Sequence, residues 1–235
     1  MTPFRLTDPP FAGRSGHGVL VAVLDSGIHA AHPHVNGVQG GVSFAGAADG
    51  DSVDRIGHGT AVAAAIREKS PDVDLLAVKV FDQRLVTNVD VLARAIEWAA
   101  EQGAHIINLS LGTANAANAE RLAAAVDFAA QRGALIVSAR EAGEVEWFPG
   151  SLAGVAGVVA DAACERDALE VTSRADDLPI FHASPYPRPI PGVPVERNLA
   201  GVSFAVANVT GFLARAVEGT DVTALEAVRR LVGHG

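Results

Sequence analysis

Residues 201–211 read Gly201-Val202-Ser203-Phe204-Ala205-Val206-Ala207-Asn208-Val209-Thr210-Gly211, and apolar residues continue at helical spacing to Val217. The glycine permits a tight turn, which puts Ser203 at the start of the predicted helix. There the backbone N–H of the serine is one of the unpaired donors of the first helical turn. This setting suits a nucleophilic hydroxyl whose own N–H faces a developing negative charge, and it equally suits a simple N-cap serine.

A second stretch ends in a carboxylate. Residues 19–24 form a continuous apolar run, which is typical of a strand buried on both faces of a parallel sheet. The run ends at Asp25-Ser26-Gly27. Because open α/β sheets place their functional sites at the carboxyl ends of such strands, Asp25 is a candidate site residue. An ordinary turn aspartate is the alternative.

A third stretch offers an imidazole. An Ala-rich helix is entered through two glycines at Gly57-His58-Gly59-Thr60. A histidine in this first turn can act as a base, and the flanking glycines indicate that another part of the backbone passes close to it. The three nearby histidines, His29, His32 and His34, match no metal-ligand spacing and have no cysteine beside them. We interpret them as solvated loop residues and predict no metal site.

Strands and helices alternate along the rest of the chain. Strands are predicted at 75–80, 104–112, 134–138 and 155–160, and helices at 88–102, 116–132 and 222–232. This alternation predicts an α/β fold with a mostly parallel central sheet and helices on both faces. Residues 40–52 read as a hairpin or loop, and the proline-rich residues 179–194 are not expected in the central sheet.

Composition limits the class of protein. The 235 residues, of which 49% are hydrophobic, fit one domain over 1–235. The formal net charge of -9 argues against nucleic acid and anionic membranes as partners. A single cysteine, Cys164, excludes an intrachain disulfide, and no signal peptide or membrane span is evident. A cytoplasmic protein is therefore expected. The oligomeric state is left open.

Asp25, His58 and Ser203 occur in the chain order that subtilisin also has, Asp, His, Ser. With these residues in place, the sequence closely resembles the subtilase family over about 18–216. The motifs that carry the resemblance are Val21-Ala22-Val23-Leu24-Asp25-Ser26-Gly27-Ile28, Gly57-His58-Gly59-Thr60, Ile106-Ile107-Asn108-Leu109-Ser110-Leu111-Gly112 and Gly201-Val202-Ser203-Phe204-Ala205.

The resemblance implies a subtilisin-like three-layer fold and a serine endopeptidase that acts on a peptide or protein substrate. Ser203 would be the nucleophile, His58 the general base and acid, and Asp25 the group that orients the imidazole. Ser110, Leu111 and Gly112 would pair with the substrate backbone and form one wall of the main specificity pocket. No metal or organic cofactor is required, although calcium binding stays open.

The sequence departs from the family pattern in its oxyanion hole. The family uses the N–H of the serine plus an asparagine side chain that follows the strand equivalent to 134–137, and residues 138–143 contain no asparagine here. Ungapped alignment puts Ala142 at that position, and a one-residue gap puts Arg140 there. In subtilisin, loss of one such donor costs roughly a hundred- to a thousandfold in rate. Arg140 could donate instead, or it could be a surface residue paired with Glu141.

Three functions remain to be weighed. The first is an active peptidase of narrow specificity that processes a peptide or a partner protein. The second is a degenerate subtilase that binds peptides without cleaving them or serves as a subunit of a complex. A lipase or esterase fits poorly, because it requires a Gly-x-Ser-x-Gly turn and the order Ser, Asp, His, whereas position 205 is alanine here.

Overall fold

A computed structural model of the chain describes residues 4–6, 11–46, 50–142, 145–174 and 177–232. The strands are β1 (Phe4–Leu6), β2 (Leu20–Asp25), β3 (Gly40–Ser43), β4 (Asp74–Lys79), β5 (Ile106–Leu109), β6 (Leu135–Ala139), β7 (Glu141–Ala142), β8 (Val145–Glu146), β9 (Ala156–Ala160), β10 (Leu169–Thr172) and β11 (Ile180–Ala183). The α-helices are α1 (His58–Lys69), α2 (Val89–Glu101), α3 (Ala119–Gln131), α4 (Val202–Val217) and α5 (Ala224–Val232).

The main sheet has the strand order β1-β10-β11-β9-β6-β5-β2-β4-β3 within the described residues. Every neighbouring pair from β11 to β3 is parallel, while β1 and β10 add an antiparallel edge. β7 and β8 form a small separate hairpin just after β6. The central strand β2 therefore has β4 and β5 on its two sides, and Asp25 lies at its carboxyl end.

Helices cover both faces of this sheet, because the side chains of its strands alternate between two apolar cores. Val21 and Val23 of β2 join the core under α1, α4 and α5. Ala22 and Leu24 join the core under α2 and α3. The predicted three-layer α/β fold is confirmed.

Helices α1 and α4 lie unusually close together, and Gly211 of α4 is the reason. A Cβ atom at this position would lie 2.6 Å from Lys69 Cβ and 2.9 Å from the Ile66 carbonyl oxygen, both on α1. The Ser70 hydroxyl, just after α1, donates to the Gly211 carbonyl at 2.6 Å. This contact matters for the site, since α1 begins at His58 and α4 carries Ser203.

The structure corrects two sequence expectations at the margins of the sheet. Residues 40–43 form no hairpin; they are β3, which runs parallel to β4. Ile180–Ala183, at the start of the proline-rich segment, is a sheet strand between β9 and β10. The prolines of that segment follow this strand or precede it, so none interrupts its ladder.

None of the helices in the described part of the chain combines the length and the apolar character that crossing a bilayer requires.

Candidate active site

Asp25 is completely buried at the end of β2, and its carboxylate faces the first turn of α1. Oδ1 lies 2.8 Å from His58 Nδ1 and also accepts a hydrogen bond from the Ser26 backbone N–H at 2.7 Å. Because a carboxylate can only accept, Nδ1 carries the proton and Nε2 is left as the basic nitrogen of the ring. The contact therefore fixes both the tautomer and the orientation of the imidazole.

His58 is the first residue of α1, and the glycines around it have separate tasks. Gly57, the N-cap, adopts a left-handed backbone with φ +92°, which favours glycine. A Cβ at Gly59 would lie 2.2 Å from the Gly27 carbonyl oxygen and 3.1 Å from Asp25 Cβ. Only glycine at position 59 lets α1 start close enough to β2 for His58 to reach Asp25.

The environment of His58 favours its protonated form. Burial lowers the pKa of the imidazole, but the hydrogen bond and the charge of Asp25 outweigh burial, with a further contribution from the charge of Asp54. The pKa of His58 is therefore raised above its ordinary value of 6.5. This is the direction expected of a base that must accept a proton from a hydroxyl.

Sequence reasoning missed Asp54, which organises the turn before α1. Its Oδ1 accepts from the Ser26 hydroxyl and the backbone N–H groups of Ile56 and Gly57, and its Oδ2 accepts from the N–H and hydroxyl of Thr60. Burial raises the pKa of Asp54, but these hydrogen bonds outweigh it and the pKa is lowered. An aspartate shortly before a helix start is the available sequence signal for such a cap.

Ser203 lies in the first turn of α4, across from His58. Its hydroxyl donates to the Ser110 carbonyl oxygen at 3.0 Å, and the Ser110 hydroxyl donates back to the Ser203 carbonyl at 3.2 Å. In the described part of the chain, no hydrogen bond joins Ser203 Oγ to the His58 ring. The direction of this hydroxyl is set by χ1 alone.

A buried polar chain holds Ser110 in place beneath the serine. Asn108 on β5 donates from Nδ2 to the Ser110 hydroxyl at 3.0 Å. Thr210 on α4 donates from its hydroxyl to Asn108 Oδ1 at 2.9 Å. Asn108 and Thr210 are fully buried, so this network ties the end of β5 to α4 with its polar groups satisfied.

His58 and Ser203 open into one cleft of about 380 Å³. Ser110, Leu111 and Gly112 also line this cleft. Its apolar lining is supplied by Phe81, Leu85, Val86, Val202 and Trp147. The cleft is thus an apolar groove with a basic imidazole and a hydroxyl at one end, an arrangement suited to acyl transfer.

Arg140, one of the two residues proposed for the oxyanion hole, is not among the described residues that line this cleft. The backbone N–H of Arg140 donates to the Val158 carbonyl, and its Nη2 lies 3.6 Å from Glu146. Its partner is therefore Glu146 rather than Glu141, and its buried Nη1 has no partner in the described residues. Ala142 is in β7 opposite Val145, and its side chain lies outside what the structure describes.

The loop histidines lie elsewhere. His29, His32 and His34 line a separate pocket of about 510 Å³ beside α1, and the rings of His32 and His34 meet edge to face with centroids 5.2 Å apart. Among the residues described, no three His, Cys, Asp or Glu side chains group closely enough to hold a metal ion.

Comparison with known proteins identifies the fold. The structure resembles sphericase, with a TM-score of 0.72 at 23% identity over 92% of this chain and 83% of that one. It resembles a cold adapted subtilisin-like serine proteinase equally well, with a TM-score of 0.72 at 21% identity over 92% and 82% of the two chains.

Sequence comparison adds curated relatives. Subtilisin Savinase of Lederbergia lenta is 40% identical over 110 residues, which is 43% of this chain and 40% of the relative. The alkaline protease of Alkalihalobacillus alcalophilus is 40% identical over the same length, which is 28% of that protein. The aligned part of the chain thus spans well under half of each of these relatives.

The family model of the subtilases matches residues 16–164. This range contains Asp25, His58 and the wall at residues 110–112, while Ser203 lies beyond it. The match covers more than half of the chain, and the fold agrees with it. The chain belongs to the subtilase family.

Proposed function

We propose that this chain is a serine endopeptidase whose catalytic triad is Asp25, His58 and Ser203. The single observation that carries the proposal is the 2.8 Å contact between Asp25 and His58 Nδ1, made in the cleft that Ser203 also lines. An orienting carboxylate, a base with a raised pKa and a hydroxyl are the three parts that nucleophilic catalysis by serine requires. Family membership supports the same activity.

The reaction begins with a rotation of Ser203. A substrate strand that pairs with the backbone at 110–112 uses the Ser110 carbonyl, which releases the serine hydroxyl toward His58 Nε2. Oγ then bonds to the scissile carbonyl carbon as its proton passes to Nε2, and the carbonyl π electrons move to oxygen. His58 delivers the proton to the leaving amine, and water hydrolyses the acyl-enzyme by the same steps in reverse.

The substrate class follows from the walls of the cleft. The apolar side chains of Phe81, Leu85 and Leu111 favour apolar residues on the acyl side of the scissile bond. Gly112 is closely backed, because a Cβ there would lie 2.9 Å from the Phe148 carbonyl oxygen and 3.0 Å from Trp147. A cleft so restricted supports narrow specificity, as in processing of a particular peptide or protein. Digestion of a peptide library with mass spectrometry measures this preference.

Labelling by a fluorophosphonate probe tests the activity. The wild-type protein should be labelled covalently, Ser203→Ala should not, and Ser151→Ala, which changes a half-buried serine outside the cleft, should label like the wild type. Absence of labelling in the folded wild type would contradict the proposal.

A second function has one observation in its favour. The Ser203 hydroxyl is bonded to the Ser110 carbonyl rather than to His58, which suits a cleft that binds peptides without cleaving them. In that case a peptide selected from a library binds the wild type and Ser203→Ala equally well, and neither the probe nor the peptide is converted. Calorimetric titration of both proteins, with product analysis, separates the two functions.

A further inference from the structure

The side chain of Trp147 lines the cleft together with His58 and Ser203. A backbone hydrogen bond fixes its position: the Trp147 N–H donates at 2.7 Å to the carbonyl oxygen of Arg140, the residue directly after β6. The next residue, Phe148, exchanges two backbone hydrogen bonds of 2.9 Å with Thr113. The segment that carries the indole is therefore bonded to the residues that follow β5 and β6.

The indole has a defined orientation against the wall of the cleft. The atoms of Trp147 nearest to a Cβ built on Gly112 are Cε3, at 3.0 Å, and Cβ, at 3.3 Å. In an indole these atoms are on one edge, and Nε1 is on the opposite edge. The N–H of Trp147 consequently faces away from Gly112.

No acceptor in the described part of the chain bonds to this N–H, and the nitrogen is not one of the buried unpaired atoms there, so it is accessible to solvent. The side chain is half-buried, and an indole nitrogen can only donate. A solvent-accessible donor on the wall of a cleft is free to bond to a substrate that displaces the water. In a cleft where a hydroxyl attacks a carbonyl, an acceptor arises during the reaction itself, as the oxyanion of the tetrahedral intermediate.

The oxyanion needs a second hydrogen-bond donor besides the backbone N–H of Ser203. Ser203 offers its backbone N–H from the first turn of α4. The backbone N–H of Arg140 is already used by Val158, its Nη2 lies near Glu146, and its unpaired Nη1 is buried in a side chain that is not among the described residues lining the cleft. We propose that the indole N–H of Trp147 donates the second hydrogen bond to the oxyanion. This inference rests on the proposed peptidase function.

In the proposed step, the Ser203 Oγ–carbon bond forms while the carbonyl π electrons move to oxygen, and the hydroxyl proton goes to His58 Nε2. The negative oxygen then accepts hydrogen bonds from the Ser203 N–H and Trp147 Nε1–H. No other reactant is needed, and both donors are in place before the charge develops, which is the condition for effective electrostatic stabilisation.

Nuclear magnetic resonance tests the contact directly, because the chain has only two tryptophans, Trp98 and Trp147. A ¹⁵N-labelled sample therefore gives two indole N–H signals, and Trp98→Phe assigns them. The probe is an acetylated trialanyl trifluoromethyl ketone, which forms a hemiketal oxyanion with an active serine, followed by its ¹⁹F signal. Formation of the adduct should move the Trp147 signal downfield and leave that of Trp98 in place.

Kinetics provide a second readout. Trp147→Phe keeps an aromatic ring but removes the donor, and it should lower kcat roughly a hundredfold or more with little change in KM, as for loss of an oxyanion donor. The matched control is Trp98→Phe. Trp98 is half-buried and its ring packs on Phe44 in the core under α2 and α3, so this variant should keep the wild-type kcat. Circular dichroism establishes that both variants are folded.

The outcomes separate this inference from the proposed function. If the adduct forms and the Trp147 signal does not move, or if Arg140→Leu rather than Trp147→Phe loses kcat, the indole is not the donor and the inference fails alone. If the folded wild type forms no adduct and takes up no fluorophosphonate, the peptidase function fails and the inference fails with it.

Discussion

Asp54 is a residue whose contribution is structural although it lies beside the site. Its carboxylate accepts from the Thr60 N–H in the first turn of α1, from the N–H groups of Ile56 and Gly57 just before the helix, and from the Ser26 and Thr60 hydroxyls. It therefore caps the helix that begins with His58, and its negative charge lies at the positive end of the helix dipole.

We expect Asp54→Ala to lower the free energy of unfolding by about 3 kcal/mol, because several buried donors lose a charged acceptor. The pKa of Asp54 is lowered in the folded protein, so its contribution is present above the unfolded pKa of about 3.9 and is lost as pH falls through the folded pKa. The loss measured by urea unfolding at pH 7 should thus shrink in acid. Ser203→Ala serves as the background to prevent self-digestion.

The control for Asp54→Ala is Asp72→Ala, which removes an exposed carboxylate from the turn after α1. This variant should unfold within about 0.5 kcal/mol of the background, as surface substitutions do. Equal unfolding free energies for the two variants would contradict the capping role of Asp54.

We expect the pair of His58 and Asp25 to determine the pH dependence of the proposed reaction. Because the pKa of His58 is raised in the folded protein, the neutral imidazole forms at a higher pH than in an ordinary histidine, whose pKa is 6.5. The value of kcat/KM should therefore rise as the pH passes through the raised pKa of His58. Asp25→Asn removes the carboxylate that contributes most to raising the pKa of His58, while Asp54 remains, and this should shift the rise in kcat/KM to lower pH. It should also lower kcat by roughly 10⁴-fold, the loss known for the equivalent change in a trypsin-like peptidase.

Steady-state kinetics between pH 5 and 10 (roughly the stable range) measure both effects of Asp25→Asn. Asp127→Asn, on the exposed face of α3, is the matched control and should reproduce the wild-type profile.

The pH dependence of stability has the opposite sign to that of activity. The raised pKa of His58 contributes stability that is full below the unfolded pKa of about 6.5 and is lost as pH rises through the folded pKa.

At the scale of elements, the site depends on how closely α1 and α4 approach. Gly211→Ala replaces a poor helix former with a good one, which alone would stabilise an exposed helix by about 1 kcal/mol. At the contact with α1, however, the added methyl group meets Lys69 Cβ at 2.6 Å and the Ile66 carbonyl oxygen at 2.9 Å. We expect the clash to win, with a net loss of about 1–3 kcal/mol in the free energy of unfolding.

The same substitution should also lower kcat, since moving α4 away from α1 moves Ser203 away from His58. Gly40→Ala is the control, because a Cβ there meets only Leu76 Cδ2 at an ordinary 3.7 Å. Urea unfolding and peptide hydrolysis by both variants provide the comparison. A Gly211→Ala protein as stable and as active as Gly40→Ala would show that the helices do not need this close approach.

At the scale of the whole molecule, sequence reasoning succeeded where local patterns carry the information. The buried run before Asp25 and the glycines around His58 predicted a central strand and a helix start, and the structure has both. Asp25 and His58 meet because the carboxyl end of β2 and the start of α1 lie at the same edge of the sheet.

The rest depends on contacts between distant segments. Counting along the chain leaves Ala142 and Arg140 as candidates for the second oxyanion donor. It gives no sign that the β7–β8 hairpin brings Glu146 within 3.6 Å of Arg140 Nη2. Trp147 could not be selected from the sequence, because its position is set by its backbone bond to Arg140 and its packing on Gly112. Sequence periodicity also gives no sign that β1 completes the far edge of the sheet.

The segment before β2 is tied to the end of α4, which links the elements that carry Asp25 and Ser203. The Glu218 carboxylate accepts from the backbone N–H groups of Ser15 and Gly16 at 2.6 and 2.7 Å. Arg14 donates in return to the Ala216 carbonyl at 2.9 Å. These contacts join residues about 200 positions apart in the chain, so their loss should affect the global free energy of unfolding.

We expect Glu218→Ala to lower that free energy by about 2 kcal/mol, because two backbone donors lose a charged acceptor, and Glu218→Gln to lower it by less, since an amide oxygen still accepts. Glu101→Ala, at the exposed end of α2, is the control. The kcat of Glu218→Ala should stay near that of the wild type, because Glu218 lies at the opposite end of α4 from Ser203. Urea unfolding that gives Glu218→Ala and Glu101→Ala the same stability would mean that the tie contributes nothing.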